Sequence, residues 1–335
     1  MAVFIRILIT LALLAWLVTK IDITHVGQVL THAHPGWVLA AILAYLLVTL
    51  GLCWRWRILL RDSSPTVSYA HLCWLTYLSA FFGLFLPGTI SGDIVKITLA
   101  SPTQLERHHV ISSVLVDRLL GLGVTLLVGL VALLCWPVAR NEMHLLPSII
   151  LVIGGFLLVI VLLFNERLAR FLSRLVPASL WSRLRGLIAR TYRTLLEYQR
   201  SPKTLLLAVL ASLCVQSLNI LSVWCAGMAV GIHLDLFSYF AIIPVVLIIT
   251  AIPISINGLG LQDNAFVVFL HALAVPASPA LALSLFVHVT HYCVGLIGGI
   301  LFTLWRGESP FKSLGSFKEL LKDKAPLPAA VTEGE

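Results

Sequence analysis

The chain reads as an all-α polytopic membrane protein with six full transmembrane helices, two opposed re-entrant helical hairpins and an inverted internal repeat. Three observations predict this class. Hydrophobic residues make up 59% of the chain and charged residues 11%, at a mean hydropathy of +0.99, which leaves too little polar sequence to cover a soluble globule. Apolar runs near the roughly 20 residues that cross a bilayer recur along the chain. The basic residues are also one-sided: of 23 Lys and Arg, 20 fall in segments assigned to the cytoplasmic side, Arg118 lies inside a span, and only Lys20 and Arg140 lie in outside loops. The net charge of +8 therefore reports orientation and contact with anionic headgroups rather than nucleic acid. A transmembrane barrel needs short alternating strands, whereas Ile149 to Phe164 and Leu205 to Cys214 are continuously apolar or nearly so.

Taken in order, Val3 to Val18 has one arginine ahead of an apolar core, as a signal peptide does. No small-x-small cleavage signal follows before Lys20, so it reads as a retained span running outward. A short outside stretch continues through Pro35, and Trp37 to Cys53 returns inward, anchored by Arg55, Arg57 and Arg61. The apolar run Tyr69 to Leu86 comes next, then a short segment to Leu105, the long span Val110 to Leu134 and a small outside loop around Arg140. Ile149 to Phe164 runs inward to the stretch Arg167 to Lys203, which carries nine basic residues and one acidic. Its interspersed leucines fit amphipathic interfacial helices, and a solvated helical hairpin fits equally; both place it inside. Thr204 to Val230 leaves the cytoplasm, Phe237 to Ile252 re-enters, and Leu281 to Trp305 ends at a basic tail whose last dozen residues, rich in Pro, Ala and Glu, read as disordered. The domain reading is one membrane domain, 1–305, with halves of about 1–136 and 145–305 and a basic cytoplasmic segment 165–203, followed by a cytoplasmic tail, 306–335.

Orientation tests the count. Basic segments before Tyr69 and after Phe164 are both inside, and Val110 to Leu134 with Ile149 to Phe164 makes one complete excursion. Tyr69 to Leu105 must then start and finish on the same side, as a hairpin broken at Pro87 to Gly92, because proline and glycine end helices. The same reasoning makes Phe237 to Ala274 a hairpin entering from the other side, broken at Pro253 to Gly260. Pro87-x-x-Ile90-Ser91-Gly92 recurs in the second half as Pro253-x-x-Ile256-Asn257-Gly258. Inverted repeats with broken helices are an architecture of transporters.

The breaks carry the candidate chemistry. Each second half-helix, beginning near Asp93 or Leu261, is expected to present unpaired amides and a partial positive charge towards the membrane interior. Gly88, Ser91 and Gly92 at the first tip, with Asn257, Gly258 and Gly260 at the second, let backbone approach an anionic headgroup. Lys96 lies one turn after Asp93 and either pairs with it or binds substrate. Arg118 either snorkels or pairs with Asp93 or Asp117, or it holds a phosphate in its fork. Gln262, Asp263 and Asn264 follow the second tip, and His288 and His291 lie one turn apart on the next span. Polar packing suits those histidines better than metal binding, since no third ligand accompanies them; a proton-relay role for His288 or Asp263 stays open. The six cysteines are scattered singly, without the paired spacing of a metal or redox site.

The Leu86-Pro87-Gly88 turn with Gly92-Asp93 and Lys96, the segment Val116-Asp117-Arg118-Leu119-Leu120-Gly121, and Pro253-x-Ser255-x-x-Gly258-x-Gly260 resemble the flippase-like transmembrane domain of lysylphosphatidylglycerol synthases, from about residue 5 to 305. That family includes stand-alone membrane proteins, some associated with hopanoid or lipid-linked sugar metabolism. Where the family commonly has a basic-acidic pair after the second glycine turn, this chain has Gln262-Asp263, which keeps the acid and removes a positive charge. Lysyl-transferring members carry a large soluble C-terminal catalytic domain. This sequence stops shortly after its final span, so aminoacyl transfer is not implied.

The resemblance implies an inner-membrane lipid translocator, both termini cytoplasmic, that moves an anionic phospholipid or lipid-linked precursor between leaflets. The implied site comprises the tip residues, Asp93, Lys96, Asp117, Arg118, Gln262, Asp263 and His288. Anionic lipid is the expected partner, with a second copy of the chain left open, and neither nucleic acid, cofactor, metal nor enzymatic activity is expected. No glycine-rich phosphate loop ending in Lys-Ser or Lys-Thr exists for a primary pump. An ion-coupled transporter of a small solute and a non-transporting accessory protein of lipid or glycan synthesis are the alternatives.

Overall fold

The computed structural model describes residues 2–60, 67–85, 91–100, 107–135, 198, 201–251 and 254–304. The predicted span Ile149 to Phe164, nearly all of the basic segment 165–203, the loop at Arg140, residues 86–90 with Gly88, Pro253 and the tail 306–335 lie outside the described residues, as does the side chain of Ser91. Ten α-helices and no strand occur among the described residues.

The first helix, α1 (Ala2–Lys20), ends at a turn where Asp22 starts another. Its carboxylate accepts from the Thr24 amide at 2.9 Å and the Thr24 hydroxyl at 2.6 Å, satisfying orphan donors of α2 (Ile23–Thr31). The chain bends by 86° there. The expected outside stretch before Pro35 is thus largely helical. Nine residues are too few to hold a helix alone, and the cap together with burial of Val26 beside Leu17 and Ile220 stabilises it. After this, α3 (Pro35–Leu60) starts with proline in the first turn, where its missing N–H costs nothing. Next come α4 (Tyr69–Phe85), the short α5 (Ser91–Ala100) and the long α6 (Arg107–Cys135). The second half gives α7 (Pro202–Ala229), α8 (Leu236–Ala251), the short α9 (Leu261–His271) and α10 (Ala277–Thr303).

Four described helices are long and apolar enough to cross a membrane, at Pro35–Leu60, His109–Ala132, Pro202–Ala229 and Ala277–Thr303, and the bent pair α1 and α2 makes a fifth if it counts as one span. Their outer faces match that solvent. Leu39, Leu43, Leu47 and Leu50 on α3, Leu206 and Leu210 on α7, and Leu296 and Ile300 on α10 are exposed at three- and four-residue spacing. Such rows are unfavourable in water and suit lipid. The chain is a multi-pass helical membrane protein.

The two halves correspond element by element. Before the breaks, Pro35 matches Pro202 and Tyr69 matches Leu236 at one constant offset; beyond them, Ser91 matches Leu261 and Arg107 matches Ala277 at a second, slightly larger one. The broadest helix interface pairs α3 with its equivalent α7. The next two pair α4 with α10 and α8 with α6, so the helix before each break lies on the other half's long helix. Small residues bring the backbones close: a Cβ on Gly51 of α3 would stand 2.7 Å from Val215 Cγ2 of α7, and one on Gly129 of α6 would stand 2.8 Å from Pro244 Cβ of α8. On α10, Cβ atoms at Gly298 and Gly299 would collide with the Tyr77 carbonyl oxygen and the Phe81 ring of α4. Gly129 and Gly299 correspond at the larger offset, which puts a glycine at the same place in both crossed interfaces.

Candidate functional site at the two helix breaks

At the first break, Gly92 lies against α4 so closely that a Cβ would stand 3.2 Å from the Ser79 carbonyl oxygen. Asp93 follows in the first turn of α5, where a carboxylate suits the helix dipole. Its Oδ2 accepts from Arg118 Nε of α6 at 2.5 Å. Lys96 turns elsewhere. Its ammonium sits 3.8 Å from the ring centroid of Trp56 on α3, a cation–π contact, and the residue is 7% exposed. The indole is itself fixed, donating from Nε1 to Ser113 Oγ at 3.0 Å. Of the two partners open to Arg118, then, the structure has Asp93; of the two roles open to Lys96, its pairing with Asp93 is replaced by the Trp56 face.

Asp117 and Arg118 are adjacent, so on a helix their side chains diverge by about 100° and each needs its own partner. Asp117 finds Arg55. The guanidinium donates from Nε to Oδ1 at 2.6 Å and from Nη2 to Oδ2 at 2.9 Å, while Nη1 reaches Ser212 Oγ of α7 at 3.1 Å. This fork ties α3, α6 and α7 together below the tip. Arg55, read from sequence as an interfacial anchor, is 5% exposed. The adjacency of two opposite charges in one span was the available signal that Asp117 requires a cation from another helix.

The second break is a tight turn with Asn257 at φ 50°, Gly258 at φ 79° and Gly260 at φ 75°, all in the left-handed region where glycine is favoured. It touches both halves. The Ile256 amide donates to Thr10 Oγ1 of α1 at 3.0 Å, and Asn257 Nδ2 donates to the Gly83 carbonyl at 3.1 Å, in the last turn of α4. Asn257 thereby caps the end of α4 in the other half. Gln262 is buried with its head folded back towards Gly258, and Asn264 Nδ2 donates to the Gly260 carbonyl at 2.6 Å.

Asp263 closes this tip. Its Oδ2 accepts from the Gly260 amide at 2.8 Å, and Oδ1 accepts from Ser284 Oγ at 2.6 Å and lies 3.1 Å from His288 Nε2, both on α10. The sequence predicts an open amide end here. The start of α9 instead carries the chain's own carboxylate, in the place that an external anion would take. His291 bonds the Val287 carbonyl through Nδ1 at 2.7 Å and stands against the Tyr45 ring, with centroids 4.6 Å apart, so the two histidines serve different neighbours. Ser284 was not singled out from sequence, because a lone serine in an apolar helix gives no signal without its partner.

The tips prove to be versions of one arrangement. Asp93 corresponds to Asp263 and Arg118 to His288 at the same offset, and in each pair the acid precedes its partner by 25 residues. The motif match of Pro87 with Pro253 concealed this, because residues added within the second break shift the register of everything after it.

No curated relative and no solved structure matches the chain. Residues 3–299 match the family model for the lysylphosphatidylglycerol synthase TM region, and the chain belongs to that family.

Proposed function

We propose that this protein is a lipid translocator of the inner membrane. An anionic headgroup crosses along the two breaks while the acyl tails stay in the bilayer, and no covalent bond changes. The observation that carries the reading is the pair of repeat-equivalent contacts at the breaks, Asp93 with Arg118 and Asp263 with His288, in a membrane domain of a lipid-linked family. Moving a phosphate through hydrocarbon is prohibitive, and charged side chains at membrane depth that can take it over lower that cost.

Arg118 is the cation best placed to do so. Its side chain is 51% exposed, and an ion pair that open is worth about 1 kcal/mol or less, so a phosphate can displace Asp93 at little cost. Its fork then receives the phosphate through two N–H donors, a geometry that lysine lacks. Lys96, held on Trp56, adds positive potential from below rather than direct contact. We read α4 with α5 and α8 with α9 as re-entrant hairpins entering from opposite sides, which makes the halves an inverted repeat with six full spans and both termini cytoplasmic. The lengths of α4 and α8, 17 and 16 residues, support hairpin arms better than full spans.

Proteoliposomes containing a labelled anionic phospholipid test the reading. The purified protein should change the leaflet of the label and leave its mass unchanged; Arg118→Gln should abolish the movement and Arg118→Lys should restore it only in part. A lipid of altered mass with no change of leaflet would overturn the proposal in favour of an enzyme. For the topology, a cysteine at position 140 should label from outside and one at 185 from inside, and labelling at 101 from outside would contradict opposed hairpins.

A further inference from the structure

We infer that Asp263 and His288 form a proton-binding site, and that its proton is the coupling ion of the movement proposed above. The coupling rests on that functional reading, whereas the proton site stands on its own geometry.

The repeat relation isolates the difference. At the first tip the cation is an arginine, which keeps its charge at every physiological pH. At the equivalent position the second tip has a histidine, the side chain whose charge changes near neutrality. The surroundings make that change consequential. The side chains of His288 and Asp263 are 8% and 3% exposed, and the other donors to the carboxylate, the Gly260 amide and the Ser284 hydroxyl, are neutral. With imidazole neutral, the closed site holds one negative charge away from water; with imidazolium, it holds none. A single proton thus decides whether the site is compensated.

No second carboxylate pairs with His288 among the described residues. On its own helix, His291 lies one turn on and the Tyr292 ring stacks at 6.3 Å between centroids. Of the other elements against α10, α3 brings Tyr45 to His291, α4 brings Tyr77 near Gly298 three turns away, and α7 brings the buried thiol of Cys225. The α2 end carries Asp22, His25 and His32, all exposed. Asp263 is therefore the group whose charge answers that of His288. The same carboxylate holds the start of α9 through Gly260, so loss of the proton weakens the tie between α9 and α10 at the break itself.

Infrared difference spectra of the full chain in lipid nanodiscs, with isotopically labelled histidine rings, test the site between about pH 5 and about pH 8. The expected result is an imidazole transition that is lost in His288→Gln and altered in Asp263→Asn, where the counter-charge is gone. Ser284→Ala keeps the Asp263–His288 contact and the fold, and should displace the transition because the carboxylate loses one of its neutral donors. An unchanged set of histidine transitions in His288→Gln would overturn the site. In vesicles of phosphatidylcholine with a labelled phosphatidylglycerol, the wild-type rate should change about threefold across one pH unit centred on that transition, and Ser284→Ala should displace the profile in step with the infrared shift. A pH-independent wild-type rate beside an intact transition would overturn the coupling alone. Absence of any lipid movement in the wild type would count against translocation, and hence against the coupling, and leave the infrared result to decide the proton site.

Discussion

The two breaks differ in how firmly each is tied down. At the first, Asp93 and Arg118 are 18% and 51% exposed, and the buried fastening is a separate pair, where Arg55 grips Asp117 and Ser212. At the second, the equivalent contact is itself the fastening: Asp263 binds its own helix end, Ser284 and His288 with almost no exposure. One repeat has separated the loosely held charge from the structural clamp, and the other has merged them. The same acid 25 residues before a basic side chain can serve as an exchangeable contact or as a closed one, depending on whether a separate buried pair carries the load.

The comparison breaks first at the clamp. Arg55→Ala leaves Asp117 buried without its counter-charge and should cost about 3–5 kcal/mol, read as early thermal unfolding in detergent. Replacing both partners, Arg55→Met with Asp117→Leu, should recover most of it, since burying neither charge avoids the desolvation cost. If the double variant is no more stable than the single, the pair does more than compensate charge.

Next come the two equivalent acids. Asp263→Ala removes the partner of a backbone amide, a hydroxyl and an imidazole, and should cost about 2–3 kcal/mol, whereas Asp93→Ala at its half-open ion pair should cost about 1 kcal/mol or less. Equal losses at the two sites would erase the distinction between them. The smallest effect belongs to the contact between hairpins: Asn257→Ala loses the bond to the Gly83 carbonyl and should cost about 1 kcal/mol, measured by the same unfolding transition.

The helical membrane class, the breaks after α4 and α8, and the long helices that follow were legible in sequence, because apolar run length and proline-glycine punctuation are local signals. The charged pairs were legible only in part. Arg118 and Asp93 were named with their pairing open, since residues 25 apart on two helices meet only if the hairpin folds back at the right height. Arg55 escaped because a basic residue near the end of a span usually anchors at the interface, and its burial is decided by α6 and α7, far away in sequence. The full repeat escaped because its two halves keep one offset before the break and another after it. The helical α2 escaped because nine residues are too short a run to be read as a helix alone, and its start depends on the Asp22 cap.

On this reading the first break, and not the second, exchanges its carboxylate for a headgroup. Native mass spectrometry of the protein released from nanodiscs containing phosphatidylglycerol measures this directly. Wild type and His288→Gln should both retain anionic lipid, and Arg118→Gln should lose it. Retention by Arg118→Gln with loss in His288→Gln would place the headgroup at the opposite tip and contradict the assignment.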